Sequence, residues 1–325
     1  MLKHTGLKGL ARALFLTFCL VGSTLQAKPE EITGEGALLA PLAERLGAEG
    51  EMAFISWKPV DFQKAARAGF TTVWIGAGSF LELTPGEQEA LLKRAEGAGL
   101  RRLGFIGGDP EWVNPRFPGK AEKAVREYRE LAGILDAFLR QDSSGALRFV
   151  LATDIEPHVK SWWDGDLSGY SALLERVVLP PLREISARFP SRVEPLLTRF
   201  EPFWWENGHV TESGRTIRGL KDFPSTVASM TYRNSAEELV SVSRAVRQRA
   251  RQTAGLRVLL GVETKPPGPG IPAFITFHGR LQEIAGELAF ALQALPAEDR
   301  RNIQGVFIHS GKIEADQILD DFLRL

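Results

Sequence analysis

The 325-residue sequence has one cysteine, three tyrosines and three methionines, and its 40 Lys and Arg balance 40 Asp and Glu to a formal charge of zero. Each shortage excludes something. A single thiol allows no internal disulfide and no zinc site built on several cysteines. An even charge balance supplies no basic face for a phosphate backbone, so nucleic acid is not an expected partner. No apolar run reaches the ~20 residues of a membrane-spanning helix. What is present suits a globular chain: 44% apolar and 25% charged residues, enough to bury a large core.

The start of the chain has its own character. Lys3, Lys8 and Arg12 precede the short apolar run Ala13 to Gly22, and Ser23 to Ala27 follows before Lys28. This is the pattern of a secretory leader cut after Ala27. Residues 1–27 are therefore expected to be a signal peptide and residues 28–325 a single mature domain, secreted or periplasmic, with no integral membrane segment. Cys19 leaves with the leader, and Leu16-Thr17-Phe18 before it lack the small residue of a lipoprotein signal. The mature chain then has no cysteine nucleophile, and its acidic residues exceed the basic ones by the three lost.

Short β-rich runs alternate with longer amphipathic stretches along the rest. The runs are Met52 to Trp57, Thr71 to Gly76, Arg102 to Gly107, Phe149 to Ile155, Val193 to Phe200, Thr226 to Tyr232, Leu256 to Glu263 and Ile303 to His309. Helical patterns lie between them, at Pro85 to Gly97, Ala121 to Arg140, Tyr170 to Phe189, Ala236 to Thr253 and Gly279 to Leu295. This rhythm predicts an α/β fold, a (β/α)8 TIM barrel, with residues 28–50 as a helical lead-in. A doubly wound open sheet is the rival. The barrel is preferred because polar and aromatic residues recur after nearly every strand, where a barrel gathers its active site, whereas an open sheet uses only its switch point.

Of the seven tryptophans, Trp74 falls inside a strand and is expected in the core, while Trp57, Trp112, Trp162, Trp163, Trp204 and Trp205 fall just past strand ends. An aromatic rim there suits stacking on sugar rings, and Trp57, Trp112, Trp204 and Trp205 are the proposed surfaces. His158, His209, His278 and His309 share the same geography.

The sharpest motif is Thr153-Asp154-Ile155-Glu156-Pro157-His158. Residues two apart in a strand face the same way, so Asp154 and Glu156 are expected to project together into the barrel mouth. Crowded carboxylates raise one another's pKa, which suits general-acid work. Glu263 ends strand seven, Glu201 follows strand five and Asp109 follows strand three. Acidic, aromatic and histidine side chains without a phosphate-cradling glycine loop point to a neutral polyhydroxylated ligand and to glycoside hydrolysis.

Asp154-x-Glu156 together with Met230-Thr231-Tyr232-Arg233 resembles the glycoside hydrolase family 18 chitinases. The resemblance implies that Glu156 is the acid/base, that Asp154 orients a 2-acetamido group, and that Tyr232 contacts that group. The further acidic residues of the chitinase motif are replaced by Phe149 and Ala152. The chain is also similar to uncharacterised bacterial barrels that share Gly107-Gly108-Asp109-Pro110-x-Trp112, Asp-Ile-Glu-Pro, Met-x-Tyr-Arg and Val-Glu-Thr. A second glycosidase arrangement, that of the cellulase and β-galactosidase clan, implies Glu156 as acid/base and Glu263 as nucleophile, although Ile155 stands where that clan has Asn.

The expected catalytic residues are thus Glu156, Asp154 and Glu263. Trp57, Asp109, Trp112, His158, Glu201, Trp204, Trp205, Tyr232, Arg233 and His309 are expected to bind substrate. Arg233 either pairs with Glu263 or Asp154 or receives an acidic sugar. The expected partner is a polysaccharide or glycan, the chain is expected to be a monomer, and no cofactor is implied. Two other classes compete: a metal-dependent hydrolase or deacetylase using His158, His278, His309, Asp109, Asp154 and Glu156, and a non-catalytic carbohydrate-binding barrel.

Overall fold

The computed structural model describes residues 37–47, 49–141, 145–202, 205, 224–268, 271–310 and 315–325. The expected leader, Trp204 and His209 lie outside the described residues. Eight parallel strands close into a barrel in sequence order. They are β1 (Glu51–Ile55), β2 (Thr72–Gly76), β3 (Arg102–Gly107), β4 (Arg148–Thr153), β5 (Thr198–Pro202), β6 (Ser225–Met230), β7 (Leu256–Glu263) and β8 (Ile303–His309). Such strands are buried on both faces, which is why they read as nearly unbroken apolar runs.

Helices cover the outside. They are α1 (Ala40–Leu46), α2 (Phe62–Arg67), α3 (Ala77–Leu81), α4 (Pro85–Gly97), α5 (Pro118–Gln141), α6 (Ser168–Leu173), α7 (Leu179–Arg188), α8 (Ala236–Val242), α9 (Arg244–Gln252), α10 (Ile284–Ala294), α11 (Ala297–Arg300) and α12 (Ala315–Arg324). Several starts are written in the sequence. Asp61 accepts from the amides of Gln63 and Lys64 at α2, Thr84 and Glu87 form a reciprocal capping box at α4, and Ser235 caps α8. The helix expected over Tyr170 to Phe189 is interrupted by a π turn at Leu174–Val178. Pro180 and Pro181 follow directly and lack the amide hydrogens of a regular α-helical ladder. The lead-in is helical over residues 37–46, where α1 packs on α10 and buries Leu42.

The barrel interior changes character along its axis. Its middle is apolar, with Ala53, Trp74, Val150, Phe200, Ala228, Leu259 and Phe307 in one buried cluster. Two glycines make room for the largest of these: a Cβ on Gly104 would collide with the Trp74 indole, and one on Gly261 with the Phe307 ring. The N-terminal end of the barrel is a polar floor. Gln304 donates to Glu51 Oε2 at 3.0 Å and accepts from Thr226 at 3.1 Å, with Thr72 and Arg102 buried beside them. The opposite end is the mouth. Among the described residues no helix is long and apolar enough to cross a membrane.

Candidate active site

Asp154 extends the inward row of β4 set by Val150 and Ala152, so strand alternation delivers its carboxyl to the mouth. Its amide is tied to Gly107 O at 2.9 Å. Oδ1 of Asp154 is buried and has no hydrogen-bond partner among the described residues. Burial pushes the Asp154 carboxyl well above the usual range, the nearby Glu156 charge pushes it further, and Lys265 opposes both. Glu156 follows where the chain leaves the strand, and its Oε1 stands 3.5 Å from His158 Nε2. Burial raises Glu156 too, against the pull of Lys265. Its side chain remains 33% exposed, against 3% for Glu263. His158 is held neutral, its pKa lowered to about 4 by burial.

Glu263, at the end of β7, has the opposite balance. Burial raises its pKa, but the hydrogen bond and charge of His309, the Lys265 ammonium and the Lys265 backbone amide together bring it below the ordinary value. Its Oε1 accepts from the amides of Thr264 and Lys265, both at 2.9 Å. Its Oε2 lies 3.1 Å from His309 Nδ1 and 3.5 Å from Lys265 Nζ. The same His309 nitrogen is 3.1 Å from the Tyr232 hydroxyl. Tyr232 feels the charges of Glu263, Asp154 and Glu156, which add to burial in raising its pKa. The mouth therefore gathers Asp154, Glu156, Tyr232, Glu263 and His309. It also holds Lys265, which sequence reasoning missed. The signal was available, since Glu263-Thr264-Lys265 repeats the alternate spacing of Asp154-Ile155-Glu156.

Other expected site residues lie elsewhere. Glu201 points away from the barrel axis, opposite to its inward neighbour Phe200, and is ion-paired in the helix layer with Arg199 at 2.8 Å and with Arg249 of α9 at 3.2 Å. Asp109 accepts from the Glu111 amide at 2.9 Å and so caps the short turn Pro110–Val113. Trp112 is core, packed edge-on against Tyr128 of α5. Trp205 is also buried, meeting the edges of His158 and Tyr170. Among the described residues of the proposed stacking set, Trp57 alone is partly open and packed on the barrel interior. The reason is geometric: the turn after β3 packs on α5, and Trp205 meets Tyr170 of α6, so a place just past a strand does not fix a place on the rim.

Arg233 does not take the place beside Glu263, which Lys265 fills. Its guanidinium donates to Tyr232 O and stands 5.5 Å from the Phe274 ring centre. His278 is exposed and lines a separate surface cavity of about 530 Å³ with Gln282, Gln317, Asp321 and Arg324. Among the described residues no three His, Cys, Asp or Glu side chains stand close enough to share one metal ion, so the convergence required by the metal-dependent reading is not found there.

No family model matches the chain, and no curated protein matches it. Solved structures do resemble it. An engineered protein superposes with a TM-score of 0.50 at 14% identity, covering 88% of this chain and 72% of its own. The structure titled ZgEngAGH5_4 wild type gives 0.50 at 11% identity, covering 87% and 98%. A GH18 chitinase from Pseudoalteromonas aurantia gives 0.49 at 11% identity, covering 84% and 99%. At these identities the likeness shows the fold alone: the chain is a TIM barrel, and a barrel hosts many chemistries.

Proposed function

We propose that the protein is a glycoside hydrolase that cleaves a polysaccharide or glycan outside the cytoplasm, with Glu156 as the proton donor. The observation that carries the reading is the opposite displacement of carboxyl groups at one barrel mouth: Asp154 and Glu156 are pushed toward their protonated forms while Glu263 is held ionised. Such a divergence keeps a protonated carboxyl available for donation at neutral pH while Glu263 stays an anionic partner of His309. Glu156 is far more open than Glu263 and is suited to reach a glycosidic oxygen. It gives its proton to the departing oxygen, and the resulting carboxylate, favoured by Lys265, takes a proton from the incoming water.

The second carboxyl role falls to Asp154, whose Oδ1 has no partner among the described residues and is available to a substrate group. The leader pattern and the thiol-free mature sequence suit secretion or a periplasmic location.

The test is a screen of the purified mature protein against a glycan panel that includes bacterial exopolysaccharides and peptidoglycan, scored by new reducing ends. Turnover of one glycan is expected, with Glu156→Gln abolishing turnover while binding persists. Unchanged turnover in that variant removes Glu156 as the donor. Binding without product from any glycan moves the protein to the carbohydrate-binding reading.

A further inference from the structure

Both oxygens of Glu263 are already engaged. Oε1 takes two backbone amides at 2.9 Å, and Oε2 faces His309 Nδ1 at 3.1 Å and the Lys265 ammonium at 3.5 Å. The side chain is only 3% exposed. Donors surround it on every side, so it is an acceptor with no lone pair free to attack a substrate.

The consequence is read at His309. Its Nδ1 carries at most one hydrogen, and two groups stand 3.1 Å from it, Glu263 Oε2 and the Tyr232 hydroxyl. Because Glu263 only accepts, Nδ1 must be the donor, and this holds whether the imidazole is neutral or charged. A protonated Nδ1 offers Tyr232 no acceptor, so the phenol hydrogen turns elsewhere. The Tyr232 ring is stacked on His309 at 5.9 Å and 22° and meets Phe307 at 6.3 Å, which fixes the ring. The hydrogen is left free of His309, on a hydroxyl that the charges of Asp154 and Glu156 reach.

We propose that Glu263 is a positioning residue rather than a nucleophile: through His309 it fixes the direction of the Tyr232 hydroxyl, so that Tyr232 presents a hydrogen-bond donor to an acceptor oxygen of the substrate. The contact with substrate rests on the glycosidase reading above, whereas the hydrogen placement does not.

Two measurements test it. In histidine ¹⁵N spectra of the whole protein, the wild type is expected to show His309 protonated at Nδ1. Glu263→Gln presents an amide N–H to that nitrogen and is expected to move the hydrogen to Nε2. A bare Nδ1 in the wild type, or an unchanged tautomer in the variant with its spectrum otherwise folded, overturns the proposal.

On the glycan that the wild type cleaves, Glu263→Gln should lower kcat roughly 10- to 100-fold, the scale of a misoriented contact group. Azide added to Glu263→Ala should restore nothing, and formation of a glycosyl azide would make Glu263 the nucleophile and sink the idea. Should no glycan be cleaved by the wild type, the glycosidase reading falls while the tautomer experiment still decides this one.

Discussion

The two ends of the barrel both bury ionisable groups, yet they are composed differently. At the floor, Glu51 stays above its ordinary value because of burial, with the Arg102 charge opposing this and the Glu194 charge adding to it last and least, and the neighbouring Arg148 lies 3.4 Å from Glu194. At the mouth, Asp154 is raised by burial and raised again by Glu156, with Lys265 as the cation reaching both. Opposite signs alternate at the floor and like signs crowd at the mouth. Folding alone favours the first arrangement, because a buried charge is tolerated when it is answered. The second costs stability, and a ligand or a reaction is the natural reason for bearing it.

The comparison breaks most deeply at Glu156. Glu156→Gln keeps the shape of the mouth and removes the transferable proton, so the turnover of any cleaved glycan is expected to fall ~10²- to 10⁴-fold. Thermal unfolding should not move downward. A loss of folding with no specific loss of turnover would make the mouth another floor.

The floor should answer in the reverse way. Arg102→Met leaves Glu51 without its cation and is expected to cost about 2–3 kcal/mol, read as a lowered urea midpoint. Catalysis by the folded fraction should be untouched. An unchanged midpoint would show that Gln304 and Thr226 already suffice for Glu51.

How far these regions could be read beforehand follows from what each signal encodes. The boundaries of β3, β7, β8 and α4 were legible because parallel strands are buried on both faces and because Thr84 and Glu87 spell a cap. Asp154 was legible for the same periodic reason, as the inward position after Val150 and Ala152, whereas Glu156 lies beyond the end of β4, where the period no longer applies. Trp112 and Trp205 were not, since once the chain leaves a strand no period states whether a side chain turns to the rim or to the helix layer. Glu201 is a different kind of miss: Phe200 beside it already claims the inward face, so alternation carries the signal for an outward ion pair. The polar floor was hidden because Glu51, Thr72, Arg102 and Gln304 are each unremarkable alone and meet only when the sheet closes.

Asp154 gives a subtler test through pH. Its ordinary carboxyl value is 3.8, and the folded protein holds it well above that. Between those limits the native state binds a proton that the unfolded chain releases. Its contribution to stability is therefore complete below about pH 4 and is lost as pH rises through the raised value. Asp154→Asn removes this liability, so it should stabilise the protein by on the order of 1 kcal/mol at neutral pH and by little at pH 4. Equal gains at both pH values would mean that Asp154 is ionised and compensated, like a floor residue.

The smallest effect is expected at the edge of the mouth. Phe274 is 53% exposed, and the Arg233 guanidinium lies 5.5 Å from its ring centre. Its backbone is pinned: Asn234 Nδ2 donates to Ala273 O at 2.9 Å and to Thr276 O at 3.1 Å, and the Phe277 amide bonds to Glu263 O at 2.8 Å. With Trp112 and Trp205 withdrawn into the core, Phe274 is an open aromatic surface among the described residues, tied through its segment to the β7 end of the mouth. Phe274→Ala removes almost no buried area, so its melting temperature should stay within about a degree of wild type. If a sugar unit stacks there, KM for a long oligosaccharide should rise roughly 2- to 10-fold, the scale of one aromatic contact, while the shortest substrate is unaffected. Equal KM values for long and short substrates would confine recognition to the mouth and place Phe274 with ordinary surface residues.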